Sequence, residues 1–205
     1  RRAFLHGAAG LVTALAGCSG LLDGSAESTR TVPRDGSNGG PASGSVTDPE
    51  RLLLRVDTDR PPIWLARPNS ETGGRPTASE RDRWRESIVV DDSARVDRIR
   101  VADTVDREQV ESFLAATDFG AETVYVEMGA VEECFRLDLC HVSWTPSEIS
   151  TDYTRRTRSY TERCAVDEWV VEARLIRIPD AIEADDVNGY SSSIGTGACD
   201  RRQGR

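Results

Sequence analysis

The chain has 205 residues, a formal net charge of -9, 38% hydrophobic residues and a mean hydropathy of -0.47. This length supports one domain with a real core and is short for two. An acidic chain without a concentrated basic face lacks the electrostatic footprint of a nucleic-acid-binding protein, so we expect no nucleic-acid partner. The low mean hydropathy indicates that a polar, unfolded stretch accompanies the folded part.

The basic residues are unusual because all 26 are arginine, set against 35 Asp and Glu. A G+C-rich genome alone would favour arginine codons. Together with the acidic excess, however, the composition resembles that of proteins from halophilic archaea, and this resemblance implies a salt-loving host. At molar salt the Debye length is about 3 Å, so the net charge identifies no cationic partner.

Residues 1–17 have the layout of an export signal, with two arginines followed by an uncharged, mildly apolar stretch. The stretch is shorter than the roughly 20 residues that a bilayer span needs. The pattern R-R-x-F-L resembles the twin-arginine signal, and its matching residues are Arg1, Arg2, Phe4 and Leu5. The alternative, a buried amphipathic helix, lacks a polar face.

A second motif closes this segment. Leu15, Ala16 and Gly17 precede Cys18 and resemble a lipobox. In lipoproteins with this motif the chain is cut before the cysteine, and its thiol carries the lipid. The resemblance therefore implies a protein held at the external face of the cell membrane by a lipid on Cys18, with the membrane and an envelope protein as the expected partners.

Residues 18–50 are dominated by Gly, Ser, Thr, Pro and Asp without apolar periodicity, which predicts a disordered, lipid-anchored tether. A folded domain is predicted over 51–205, and its firmest part is 85–199. The segment between Arg67 and Arg85 is predicted as a loop or weak helix.

The domain is predicted to contain one main helix among several strands. Asp106 and Gln109 have the spacing of a capping box at the start of a helix over 106–119. Short apolar or alternating stretches predict strands over 52–56, 61–66, 86–90, 96–101, 122–128, 133–144, 148–160 and 169–179. This order predicts an α+β fold with a mostly antiparallel sheet.

Four cysteines follow Cys18, namely Cys134, Cys140, Cys164 and Cys199, and an even number in an exported domain predicts two disulfides. A strand would hold Cys134 and Cys140 about 20 Å apart, too far for a bond to each other. Each should therefore pair with Cys164 or Cys199, in an order that the sequence leaves open. A zinc site beside His141 is the alternative, but C-x-x-C spacing is absent.

Strict alternation along 133–144 predicts two distinct faces. Phe135, Leu137 and Leu139 should share the core face with His141. The opposite face should carry both cysteines, together with Val142 and Trp144. This placement makes His141 a structural histidine.

Known reaction motifs are missing from the sequence. It contains no G-x-S-x-G, no H-E-x-x-H and no phosphate-binding glycine loop, and we assign no catalytic residue, metal or cofactor. The Ser/Gly-rich segment 191–197 is predicted as a loop before Cys199. Three arginines, Arg155, Arg156 and Arg158, form a candidate anion site, although a solvated strand face explains them more simply.

The segments "DFGAETVYVEMG", "CFRLDLCHVSW" and "ARLIRIP" resemble the strand pattern of PrcB-type domains, over residues 117–179. That resemblance implies an accessory or binding role and carries no catalytic residue. We therefore expect a non-enzymatic, lipid-anchored binding or accessory protein. The alternatives are an exported hydrolase with an unidentified carboxylate site and a carrier of a metal or small ligand.

Overall fold

The computed structural model describes residues 43–67, 74–76 and 85–199. Its elements in chain order are β1 (Gly44–Thr47), β2 (Arg51–Val56), β3 (Ile63–Leu65), β4 (Arg85–Val90), α1 (Ser93–Val96), β5 (Ile99–Val101), α2 (Arg107–Ala115), β6 (Thr123–Glu132), β7 (Phe135–Trp144), β8 (Glu148–Thr157), β9 (Trp169–Ile178) and β10 (Gly189–Gly195). The export signal, Cys18 and most of the predicted tether lie outside the described residues. Within the described part, no helix is both long and apolar enough to cross a membrane.

Two four-stranded sheets make up most of the domain. The central sheet has the strand order β2-β9-β6-β4, and the outer sheet has the order β1-β7-β8-β10. A separate two-stranded sheet joins β3 to β5. All pairs are antiparallel except β8 with β10. The predicted α+β class, with a mostly antiparallel sheet, is confirmed.

The central sheet is buried on both faces. Because neighbouring residues of a strand point to opposite faces, Val124 of β6 joins the cluster that packs against α2, β3 and β5. Tyr125, the next residue, joins the cluster between the two sheets. On β9, Leu175 and Ile176 divide in the same way. The domain therefore has three layers, with the outer sheet covering one side of the central sheet.

The predicted main helix is confirmed, although it is shorter than 106–119. Asp106 caps α2, because its Oδ1 accepts a hydrogen bond from the backbone N–H of Gln109 at 3.2 Å. Val110 and Leu114 form its buried stripe. The helix ends at Ala115 because the chain then turns around Asp118, whose Oδ1 accepts from the N–H of Gly120 at 3.0 Å.

Three segments differ from their predictions. Gly44–Thr47, placed in the tether, forms β1 by pairing with β7. In the predicted strand 96–101, Val96 is the last residue of a helical turn, α1, whose N-cap is Asp92, and only Ile99–Val101 are extended. The predicted loop 191–197 contributes most of β10. Both missed strands form through pairing with distant parts of the chain, which local composition does not reveal.

The alternation of β7 is interrupted at Cys140. Leu139 pairs with Tyr153 and His141 pairs with Asp152, so Cys140 is the extra residue of a β-bulge. The predicted core face therefore holds for Leu137 and Leu139, which pack between the sheets, and is wrong for the residues beyond Cys140. One additional residue returns Val142 and Trp144 to the buried face that Leu139 occupies, and it turns His141 outward.

Two disulfides are present, which confirms that prediction. Cys134 bonds to Cys164, and Cys140 bonds to Cys199. Cys134 and Cys140 do not pair with each other, as the strand geometry required. The first bond ties the β6–β7 turn to the β8–β9 loop. The second ties the middle of β7 to the segment that follows β10.

A buried ion network connects the two sheets. The side chain of Glu172 on β9 is 0% exposed, and its Oε1 accepts from Nη1 of Arg55 at 2.5 Å. Its Oε2 accepts from Arg174, which is 3% exposed, and from the backbone N–H of Leu137 at 3.3 Å. Arg174 also donates to the carbonyl oxygen of Leu137 at 2.6 Å. Charges buried this deeply persist only when paired, so the network fixes how the sheets align.

A neutral phenol completes this polar layer. Tyr153 on β8 donates to Oε2 of Glu127 on β6 at 2.6 Å, and Thr151 donates to the same oxygen at 2.9 Å. Burial, and then the negative charge of Glu127, raise the pKa of Tyr153 well above its usual range. The phenol therefore stays protonated and continues to donate.

Replacing Glu172 with alanine tests the network. Glu172→Ala leaves two arginines without their shared carboxylate, so the free energy of unfolding should fall by about 3–5 kcal/mol. Glu162→Ala is the control, because it removes an exposed carboxylate from Arg158 and should cost about 0–1 kcal/mol. Both values come from denaturant titration. A similar, small loss in both variants would show that the buried network does not hold the sheets together.

Candidate functional site

The face of the outer sheet that points away from the core carries ordered rows of small polar side chains. Pairing across its four strands aligns Ser45, Ser143, Ser150 and Ser191 in one row. The next row aligns Thr47, His141, Asp152 and Ser193. The bulge at Cys140 makes the second row possible, because it sends His141 to this face.

The segment after β10 forms a wall beside these rows. Cys199 in this segment is bonded to Cys140. Thr154 on β8 donates its hydroxyl to the carbonyl oxygen of Gly197 at 2.6 Å. One covalent bond and one hydrogen bond therefore hold residues 195–199 over the sheet.

Wall and sheet enclose a groove of about 750 Å³. This volume lies in the range of small-molecule sites, about 300–1,000 Å³. Hydroxyl groups, backbone, one carboxylate and one imidazole line the groove, supplied by His141, Ser150, Thr151, Asp152, Ser191, Ser192, Ser193, Gly195, Thr196 and Gly197. No arginine is among these residues, although the chain contains 26 basic residues, all arginine.

Asp152 organises the polar groups of the groove. It is 7% exposed, and its Oδ1 accepts a hydrogen bond from the hydroxyl of Ser193. Its Oδ2 lies 3.9 Å from Nδ1 of His141. The carboxylate therefore stands between the hydroxyl and the imidazole. In a Ser-His-Asp hydrolase the imidazole stands between the other two groups, so that it can take the proton of the serine.

This order suits binding better than hydrolysis. The hydroxyl of Ser193 donates to a carboxylate, which is a weak base, instead of to the imidazole. Serine and threonine hydroxyls both donate and accept hydrogen bonds, whereas an ionised carboxylate only accepts. The groove can therefore exchange several hydrogen bonds with a ligand that carries many hydroxyl groups.

The arginines proposed as an anion site do not converge. Arg155 lies over the ring of Phe135 at 3.9 Å, and Arg156 bonds to Asp138 at 2.9 Å. Arg158 bonds to Glu162 at 2.7 Å. Because they contact separate partners, they offer no common pocket to an anion.

The alternative to the disulfides is a zinc site formed by His141 and the cysteines. All four cysteines of the described residues are in disulfides. Within the same part of the chain, no group of three or more His, Cys, Asp or Glu side chains could hold a metal ion. The four cysteines are therefore bonded to each other instead of serving as zinc ligands beside His141.

Sequence reasoning missed the main residues of the groove. The sequence predicts a polar strand around Asp152, a loop around Ser193 and a core position for His141. The available signal was the density of small polar residues in 150–154 and 191–193, which only strand pairing turns into one surface.

Comparisons with family models, with curated proteins and with solved structures find no match. The likeness to PrcB-type domains therefore stays a prediction, and the site must be interpreted from its own chemistry.

Removing the bond between Cys140 and Cys199 should open the groove without unfolding the domain. The double variant Cys140→Ser, Cys199→Ser should lose about 2–5 kcal/mol of stability. In addition, hydrogen exchange at the amides of 195–199 should become faster. Mass spectrometry of exchanged peptides measures both this region and the rest of the domain.

The control removes the other bond, in the variant Cys134→Ser, Cys164→Ser. It should lose comparable stability but leave exchange at 195–199 unchanged, because this bond lies away from the groove. Equal exchange rates at 195–199 in both double variants would contradict the conclusion that the Cys140–Cys199 bond holds this segment over the sheet.

Proposed function

We propose that this chain is an exported, lipid-anchored surface protein whose folded domain binds a polyhydroxylated ligand of the saccharide class. The proposal has two parts, one about where the protein lies and one about what the groove binds. The single observation that carries the second part is the groove built around Asp152 on the outer sheet.

The motifs at the start of the chain support export and anchoring. Arg1 and Arg2 begin a twin-arginine pattern, and Leu15–Gly17 precede Cys18 as in a lipobox. Two disulfides in the described domain suit an oxidising environment outside the cell. The composition of the residues after Cys18 predicts a flexible coil, and about 25 such residues would span a root-mean-square distance of roughly 25–30 Å. That length would hold the groove clear of the membrane surface.

Anchoring can be tested by changing the lipid-bearing residue. In a haloarchaeal host, the wild-type chain should fractionate with membranes, lose residues 1–17 and be cut by protease added to intact cells. Cys18→Ser should abolish membrane retention, whereas the neighbouring control Ser19→Ala should not. Recovery of unprocessed wild-type chain from the cytosol, with reduced cysteines, would refute this part.

The lining of the groove selects the ligand by chemistry. Hydroxyl groups can pair with ligand hydroxyls in either direction, and Asp152 can accept from one of them. The lining lacks arginine, the side chain best suited to bind a phosphate or sulfate, and it contains a carboxylate that repels such anions. Hydrogen bonds between matched hydroxyls also suit a high-salt medium, where long-range attraction between charges is screened.

The alternative of an exported hydrolase has one specific observation in its favour, the proximity of His141 to Asp152 in the groove. The two functions differ in the fate of the ligand. A binding protein returns the saccharide intact after long incubation, whereas a hydrolase returns shorter products. Chromatography of the recovered saccharide distinguishes them.

The binding function is tested by removing the charge of Asp152. A glycan array carrying neutral, amino and acidic saccharides identifies a ligand, and NMR titration of that saccharide gives its affinity. Asp152→Asn should weaken binding about tenfold or more, because a hydrogen bond to a charged group contributes about 1.5–3 kcal/mol.

Asp138→Asn is the matched control, since Asp138 lies on the same strand as His141 but pairs with Arg136 and Arg156 outside the groove. It should bind as the wild type does. Absence of any binding on the array, or equal loss in both variants, would rule out a saccharide site around Asp152.

A further inference from the structure

The strand β10 is an edge strand without the usual protection. It pairs with β8 on one side, and no other strand of the described chain pairs with its second side. Proteins usually guard such edges with charged residues, proline, bulges or very short strands, because an open edge attracts another strand. β10 has seven residues, Gly189–Gly195, and its sequence GYSSSIG contains neither charge nor proline.

The open edge of β10 lies in a segment that contains no charged residue, which is unusual for this chain. Charged residues make up 30% of the sequence, yet none occurs from 187 to 199. At molar salt only charges in near contact repel each other, and this uncharged segment places none at an interface between two acidic chains. Other edges differ, because β2 carries Arg51 and Arg55, and β1 has only four residues.

Two apolar side chains on this strand stay largely exposed. Tyr190 is 44% exposed and Ile194 is 49% exposed. They are four residues apart, so both lie on the face of β10 that points toward the central sheet. Tyr190 also stacks on the buried ring of Tyr125, with 5.9 Å between ring centroids, which fixes its position.

The sequence of β10 is self-complementary about its middle residue. If two copies pair antiparallel around Ser192, Tyr190 of one lies opposite Ile194 of the other, and Ser191 lies opposite Ser193. Gly189 of each copy then lies opposite Gly195 of the other. Such a pairing places apolar against apolar and hydroxyl against hydroxyl, and each contact occurs twice, as a two-fold interface requires.

We propose that β10 pairs with the β10 strand of a second copy of this chain to form a two-fold symmetric dimer. The two outer sheets then join into one continuous sheet, and the partner buries Tyr190 and Ile194. Because the two-fold axis is perpendicular to the sheet, both grooves open on the same side. The dimer itself does not depend on what the groove binds.

The oligomeric state is measured by sedimentation velocity of the full chain in a non-ionic detergent at molar NaCl, which screens the mutual repulsion. The wild type should sediment as a species that contains twice the protein mass of one chain. Ser192→Glu would place two carboxylates directly opposite each other across the axis, and Ile194→Arg would put a charge into the apolar contact. In both variants the dissociation constant of the dimer should rise about tenfold or more.

Ser45→Glu is the matched control, because Ser45 is exposed on β1, the opposite edge of the same sheet. This variant should remain dimeric. Circular dichroism of each variant verifies that it is folded. A wild type that stays monomeric at about 100 µM, or a folded Ser192→Glu that dimerises as the wild type does, would overturn the proposal.

Cross-linking tests the register independently. Residues directly opposite in an antiparallel pair have Cα atoms about 4.5–5.5 Å apart, which a disulfide can span. Oxidised Ser192→Cys should therefore give a dimer that reductant separates, whereas Ser45→Cys should not. Equal cross-linking in both variants, or cross-linking in neither, would show that the strands do not meet at Ser192.

Discussion

One extra residue in β7 determines where the chemistry of this domain lies. The bulge at Cys140 restores Val142 and Trp144 to the core and at the same time directs His141 to the opposite face. Without it, strict alternation would bury the imidazole between the sheets and expose two large apolar side chains. The bulge also presents Cys140 to Cys199, and that bond holds the segment which closes the groove. The packing of the core, the position of the segment after β10 and the polar rows therefore all depend on this one bulge.

Arginine supplies much of the cohesion elsewhere in this lysine-free chain. Arg55 contacts both Glu172 and the carbonyl oxygen of Glu133, at 2.5 and 2.6 Å. Arg174 joins Glu172 to Leu137 and lies 4.8 Å from the centre of the Tyr153 ring. A planar guanidinium can make several directed hydrogen bonds and stack on an aromatic ring at once, which an ammonium group cannot do. The inter-sheet network depends on this property.

The parts of the fold that the sequence predicts are those with a local cause. The cap at Asp106 and the stripe of Val110 and Leu114 identify α2, because a helix closes its hydrogen bonds within a few residues. Alternating apolar residues likewise identify β6, β7 and β9. The distance between Cys134 and Cys140 along one strand excludes a bond between them. Choosing among the remaining cysteine partners requires the folded arrangement.

What the sequence does not predict depends on long-range pairing. β1 becomes a strand through contact with β7, about a hundred residues later, and β10 through parallel pairing with β8. Neither segment has the apolar alternation that marks a strand. The bulge leaves no mark in the sequence, so the row containing Asp152 and Ser193 appears only when three strands are aligned.

The most direct measurement of this arrangement is the set of nuclear Overhauser contacts of the His141 ring in the folded domain. The bulge predicts contacts from the ring protons to the side chains of Asp152 and residues 193–197, and none to the methyl groups between the sheets. Contacts to those buried methyl groups instead would show that β7 alternates without interruption. The groove as described would then not exist.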